Sequence, residues 1–584
     1  MGSISLLLSS AAVVGLAQAA VIGWKSPVYT NTFAAELPIP TVIKPSTSYT
    51  NTENGRITEF YELEIKSFER QIYPDIKATT FWGYNGLAPG PTFKVTKGVE
   101  AVVRVKNTIE QEQSVHLHGS FSRSPFDGWA LDTIKTGEYK DYYYPNQQNA
   151  RTLWYHDHAE GKTQLNVNHG LAGMYLIEDP AMSAKLALPQ GNYDIPLVLD
   201  SKQFDAGGQI APPNLHGDVI MVNAQPWPFL NVENRKYRFR MLNGSPARGF
   251  KLTLVDEADT TATALEFTVV GSDSGFLSES VKTKEIILGQ AERYEIVIDF
   301  EQYEGKNLTL KNARDFNGEE DYPQTDKVMQ FRVGTTTTSQ DGNGAVPLKL
   351  VDLEKFEDHP TVDQTYTFAF DLAKGKWLIN GVGFSDGNPG RVLASPKQGT
   401  VQRWKIVNPN DGRVFAPHPV HVHLVDFQVM SRVGGRGVVA EYEQKSLKDV
   451  VYVAPGETVE VLANFAPWSG LYMFHCHNLG HEDNDMMAAF DATQVDLTEL
   501  GYPQDILFND PMAPDYRPQK FTVTDLDDIK VNTLPQFQKS NAYPDVPDFE
   551  SALSSWHKTH VASSTAAVAP RTLATVVKAR PTST

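Results

Sequence analysis

One cysteine in 584 residues excludes an intrachain disulfide, a zinc ribbon and a four-thiolate cluster, so Cys476 acts alone or with partners other than cysteine. A basic surplus is missing too. With 52 Lys+Arg against 70 Asp+Glu the formal charge is −18, which argues against a general nucleic-acid partner. Beyond the first twenty residues no window offers the ~20 apolar residues that span a bilayer, so no stable membrane insertion is expected. Helical periodicity is sparse. What the chain does have is 41% apolar residues, enough for real cores, and length for roughly three or four domains at ~150 residues each.

The two ends read differently from the rest. MGSISLLLSSAAVVGLAQAA joins an apolar stretch to Ala17-Gln18-Ala19, the small-x-small pattern of a cleavage site, although it carries no Lys or Arg. Residues 1–19 are therefore expected to be a signal peptide, cleaved near Ala19, and the mature chain to be secreted. The sequons Asn243-Gly244-Ser245 and Asn307-Leu308-Thr309 are compatible with export. GTTTTSQDGNGAV from Gly334 reads as a linker, and residues 546–584, which run into an Ala/Thr/Val/Pro-rich end, are expected to be a disordered tail.

Between the ends, short runs with period-two alternation such as EAVVRVKN, YRFRML, YEIVIDF and TVEVLANF are bounded by Gly, Pro, Asn and Asp, which predicts an all-β sandwich architecture. The chain also repeats itself. TGEYKDYYYPNQQNARTLWYHDH and PGETVEVLANFAPWSGLYMFHCH place a histidine the same distance after a Gly-Glu pair, Glu138 to His156 and Glu457 to His475. A third copy, GQAERYEIVIDFEQYEGKNLTLKN, puts Leu310 at that offset from Glu292. Upstream, AVVRVKN, YRFRMLN and QRWKIVN end at Asn107, Asn243 and Asn408; the first and third lead into His-x-His and the middle one does not. Three homologous β-domains follow, the first and third carrying a metal site and the second serving as a spacer.

Ten of the fifteen histidines lie in four clusters: His116 and His118, His156 and His158, His418, His421 and His423, and His475, His477 and His481. Residues i and i+2 of a strand project from one face, so each His-x-His aims two imidazoles at one side. Cys476 sits between His475 and His477, so its thiolate faces away from them and builds a second site behind the first. Two His, one Cys and one Met is the ligand set of a blue-copper centre. His418, Cys476, His481 and Met486 supply it, with Met487 the competing thioether. A buried thiolate with a thioether suits copper better than zinc. His169, His216, His359, His557 and His560 lack such company and read as surface or locally hydrogen-bonded residues.

With those residues in hand, the sequence resembles the multicopper oxidases, and among them the bilirubin oxidases and laccase-like phenol oxidases. HLHGSFSR, FDGWA, DYYYPN, ARTLWYHDH, QPWPF, KYRFR, AERYE, HLVDF, LKDVV and MFHCHNLGHEDNDMMAAF carry the resemblance, from about residue 50 to 520. It implies three cupredoxin-like Greek-key β-sandwich domains at residues 20–190, 191–340 (no copper) and 341–545. It implies four coppers: one type 1 at the residues above, one type 2 on His116 and His421, and a type 3 pair on His118, His156, His158, His423, His475 and His477. Asp127 in FDGW and Glu482 beside His481 match positions where the family places proton-relay acids, the competing readings being an Asp-Gly turn and a solvated acid. One departure concerns the donor: bilirubin oxidases carry Trp two residues before the type 1 His of the HP-x-H-x-H motif, and this chain has Ala416.

The expected function is oxidation of a small aromatic donor, phenolic or pyrrolic, with O2 as acceptor, Cys476 passing electrons to the flanking histidines. Coupling of polyketide pigment or toxin precursors and oxidation of bilirubin both fit, and the enzyme is expected to be a monomer. A ferroxidase and a non-enzymatic copper-binding protein are the alternatives; a two-domain copper nitrite reductase is excluded by the paired type 3 clusters and the third domain.

Overall fold

The alternating strands pair into six sheets, two to each of three successive stretches of chain. The computed structural model describes residues 23–561 apart from 213–215, 317–321, 355, 357–361, 410–415 and 503–505. The expected signal peptide, His359 and the last residues, 562–584, lie outside the described residues.

One pairing scheme occurs three times. Glu100–Asn107 lies parallel to Ile57–Arg70 and antiparallel to Glu138–Tyr144. Lys236–Asn243 stands in the same relation to Asp194–Lys202 and Arg293–Asp299, and Val401–Val407 to Val362–Ala373 and Thr458–Asn464. Parallel neighbours cannot be joined by a tight hairpin, so each unit crosses over to a second sheet and closes as a two-layer sandwich. The second sheets repeat as well: Val115–His118 pairs with Arg151–Asp157, Phe250–Asp256 with Asn307–Asn312, and His418–Val422 with Gly470–Cys476.

The repeated Asn and Glu hold these turns. Asn107 donates its amide to Gln111 O and Ile134 O, Asn243 to Arg248 O and Leu288 O, and Asn408 to Ala416 O and Val453 O. Glu138, Glu292 and Glu457 each accept from the backbone N–H three residues upstream, at 3.0, 2.6 and 2.9 Å. Asn243, the first residue of one sequon, is fully buried with its amide spent on backbone carbonyls, which a glycan there would leave unsatisfied. Asn307 is exposed.

The C-terminal expectation also changes. Residues after 498 leave the third unit and return across the first, where Gln519–Lys520 adds to the edge of Glu138–Tyr144. Tyr543 donates to Tyr143 O at 2.7 Å and accepts from Arg123 N at 3.0 Å. Val546–Val561, expected to be disordered, is a helix. Its Val546, Phe549 and Leu553 fall on one helical face and are buried in the core of the third unit, and His557 contacts Gln398 O at 2.7 Å. That apolar stripe is what stabilises the helix.

Glu550 on this helix is pushed up to about 7, first by burial and then by Glu354 and Asp426. A carboxyl raised above its ordinary 4.5 contributes stability that is present below that value and lost as pH rises through 7. Glu550→Gln is therefore expected to raise Tm by roughly 2–4 °C at pH 8 and to leave it unchanged at pH 4, read by thermal denaturation at both pH values.

Candidate metal centre

Strand register alone brings the first histidines together. His116 pairs with His156 and His421 with His475; in the middle unit the same ladder position holds Leu254 opposite Leu310, both in the apolar core. The first and third units then face each other. His116 Nε2 lies 3.4 Å from His421 Nε2, and His475 Nε2 lies 3.1 Å from His158 Nε2 and 3.2 Å from His423 Nε2. Two triads emerge, His118, His156 and His477, and His158, His423 and His475, their ligand atoms within 4.8 Å of one another. All eight imidazoles are buried.

Hydrogen bonds fix which nitrogen is free. Backbone carbonyls only accept, so His116, His156 and His421 must donate through Nδ1 to Asp127 O (2.5 Å), Asp157 O (2.8 Å) and Asp449 O (2.8 Å), leaving Nε2 as a lone pair. His118 is reversed: Nε2 donates to Asp449 Oδ1 at 3.1 Å, and Nδ1 is the buried atom without a partner. Nε2 of His156 and His477 are likewise orphaned. Burial, with repulsion among neighbouring imidazoles, holds His156 at about 3 and His158 at about 4. Neutral imidazoles whose Nε2 lone pairs face each other, His116 with His421 at 3.4 Å and His423 with His475 at 3.2 Å, form a donor set that suits a metal cation between them.

Three carboxylates lie against these rings: Asp127 and Glu482, expected as proton-relay acids, and a third that the sequence reading did not single out. Asp127 Oδ2 accepts from His423 Nδ1 at 2.8 Å. Gly128 allows this turn: at φ +85° it packs where a Cβ would meet Val115 O at 2.5 Å. Glu482 Oε2 lies 3.1 Å from His475 Nδ1 and Oε1 lies 3.7 Å from His158 Nδ1. Burial would raise Glu482, but His475 and His158 outweigh it and hold it at about 2; Asp127, lifted by burial with only Lys140 opposing, lies well above the carboxylate range.

Asp449, in the LKDVV segment, is the one the sequence reading passed over. Arg293 of the middle unit, fully buried, grips it with both Nη atoms at 2.6 Å and reaches Thr152 O with Nε at 3.0 Å. The middle unit is thus more than a spacer, because it inserts the cation that fixes a histidine-orienting carboxylate. Gly119 makes room at φ +87°, where a Cβ would lie 2.5 Å from Asp449 Oδ2.

Behind His475 and His477 lies a separate site. Cys476 Sγ is 3.3 Å from His418 Nδ1 and 3.7 Å from His481 Nδ1, and the Asn478 N–H points at it at 3.4 Å. Burial pushes the thiol up, so it would ionise here only against a metal. The two methionines part company: Met486 is buried in the cluster that holds Cys476, whereas Met487 pairs with His475 in the ladder and packs with Trp129, Phe384 and Met473. His169 stacks on Trp82 at 4.1 Å, away from both sites.

Comparison with known proteins agrees with this geometry. Two family models described as multicopper oxidase match residues 68–182 and 355–496. Bilirubin oxidase of Albifimbria verrucaria is 48% identical over 493 residues, covering 82% of this chain and 84% of that protein. A laccase of Bacillus subtilis (strain 168) is 34% identical over 529 residues, covering 79% and 98%. Among solved structures, the McoA multicopper oxidase from Aquifex aeolicus superposes with a TM-score of 0.68 at 27% identity, covering 78% of this chain and 99% of its own. Likeness of this extent, running through all three cupredoxin-like sandwiches, places the chain in the multicopper oxidases, four-copper oxidoreductases that use O2 as electron acceptor.

Proposed function

We propose that this is an exported oxidase of phenolic or related aromatic donors. In this reading His418, Cys476, His481 and Met486 hold the type 1 copper, His116 and His421 the type 2 copper, and the two triads the type 3 pair. Bound copper supplies the one-electron couple between donor and O2. Four donors each lose one electron, and O2 takes four electrons and four protons to give two waters. The radicals that leave couple or go on to quinones, which suits pigment or toxin synthesis from polyketide phenols.

The observation that carries the reading is the placing of Cys476. Its sulfur lies between His418 and His481, while its chain neighbours His475 and His477 belong to the other site, so a few covalent bonds join the two. Glu482 and Asp127 lie against the Nδ1 atoms of the imidazoles on that side, and Asp127, whose carboxyl is shifted upward by burial, is the acid placed to deliver a proton. Met486→Gln is expected to lower the type 1 reduction potential with the blue absorption retained, because the weak axial ligand tunes that couple. A redox titration that finds no change would move the axial role away from Met486.

The test is oxygen uptake by copper-loaded protein with bilirubin, a simple phenol, a naphthol and iron(II), ranked by kcat/KM. Preference for the phenol or naphthol is expected. The 48% identity to a protein named bilirubin oxidase favours bilirubin as second reading, and a clear preference for it would replace the first. Preference for iron(II) would overturn both.

A further inference from the structure

Both imidazoles of the Cys476 site are buried, His418 fully and His481 to within 2%, as are Cys476 and Met486. A donor too large to enter needs a group that touches these rings and also reaches the surface. Trp377 does both. Its indole is half-buried and lies over the His481 ring at 3.9 Å with an interplanar angle of 28°, edge-on to His418 at 5.7 Å. Phe370, fully buried, stacks against His418 at 4.8 Å.

The indole is held in place. Trp377 is the second residue of the return strand Lys376–Ile379 of a hairpin whose two-residue turn, Lys374-Gly375, has φ of +54° and +77°, and it pairs with Leu372. Its backbone N–H donates to Asn484 O at 3.0 Å, which ties the hairpin to the loop that follows His481. Charge beside it is balanced: Asp485 pairs with Lys376 at 2.5 Å and accepts from Ser385 Oγ at 2.6 Å, so this carboxylate is not a free ligand for a cation. A part-exposed indole stacked on a buried imidazole suits contact with a flat electron-rich ring.

We propose that Trp377 is the docking platform for the aromatic donor and the first group on its electron path, donor to indole to His481. The proposal rests on the oxidase reading above and names its specificity residue. In each turn a phenol would lose one electron through the indole and His481 to copper held by His418, Cys476, His481 and Met486, and its hydroxyl proton would pass to solvent.

Trp377→Ala and Trp377→Phe in the copper-loaded full chain test it by two readouts. Calorimetry with 2-methoxynaphthalene, a flat ring with no hydroxyl to oxidise, is expected to show binding weakened at least tenfold in the alanine variant and largely restored by phenylalanine. Anaerobic bleaching of the blue band by naphthol is expected to slow at least tenfold in the alanine variant, whereas bleaching by ferrocyanide, which has no face to stack, does not slow. Equal binding and equal naphthol rates in wild type and Trp377→Ala would overturn the role of Trp377. Should the alanine variant fail to hold copper, Trp377→Leu, which fills space without a π face, replaces it under the same criteria. A wild-type protein that accepts no electrons from naphthol would instead overturn the proposed donor class.

Discussion

Cys476→Ser is expected to abolish the blue absorption and to bring donor oxidation below detection while the protein stays folded. The substitution changes one fully buried atom for a smaller one and keeps the strand Gly470–Cys476 in register with His418–Val422 and Met487–Ala492. Its cost to stability is about 1–2 kcal/mol, the range of a single buried polar change. Its cost to function is far larger. A hydroxyl in the place of Sγ offers no thiolate for charge transfer to copper, and the short route through Cys476 to His475 and His477 loses its sulfur terminus. Absorption spectroscopy and oxygen uptake on one preparation check both halves. A retained blue band would refute the assignment of Cys476 to the type 1 site, and loss of the fold would be seen directly by circular dichroism.

Asp127→Asn is expected to slow O2 reduction about 100-fold, the lower end of what a positioned general acid contributes. The amide keeps an oxygen at the place where Oδ2 accepts from His423 Nδ1, and the backbone carbonyl that accepts from His116 Nδ1 is untouched, so both rings keep their orientation. What is lost is the exchangeable proton. Stopped-flow measurement should therefore find reduction of the type 1 copper by donor unchanged and reoxidation by O2 slowed. Equal slowing of both steps would assign Asp127 a purely orienting role, as would a pH profile of reoxidation that does not move. Glu482 makes a useful contrast, because its two imidazole contacts hold it as an anion, and its amide variant should disturb copper retention as well as rate.

Much of this could be read without coordinates. The i, i+2 spacing of His-x-His and the odd position of Cys476 follow from the two-residue period of a strand, which is a covalent property of the chain. The constant distance from Glu138 to His156 and from Glu457 to His475 reflects one turn and one crossing from the first sheet of the sandwich to the second, used twice, and Leu310 at that offset marked the unit without metal ligands. The helix Val546–Val561 was legible in part, since Val546, Phe549 and Leu553 recur at helical spacing, but the composition of the chain beyond it obscured the stripe. Trp377 gave no signal, lying far in sequence from His481 in an unremarked hairpin.

The sequence by itself determined the kinds of ligand and the side of the strand each one takes, because both are set by residue identity and local geometry. Only the tertiary structure brought the eight histidines of the first and third units face to face and decided which nitrogen of a ring such as His118 is free. A ring nitrogen is free when its partner is engaged; nearby backbone carbonyls engage His116, His156 and His421, but for His118 and His423 the engaging group comes from a distant part of the chain, Asp449 reaching His118 across 331 residues and Asp127 reaching His423 across 296. Arg293, which anchors Asp449 from the middle unit, carries no motif of its own. Periodicity records which face a residue shows; it holds no information about what the rest of the fold brings to that face, and at this site those visiting groups select the donor atoms.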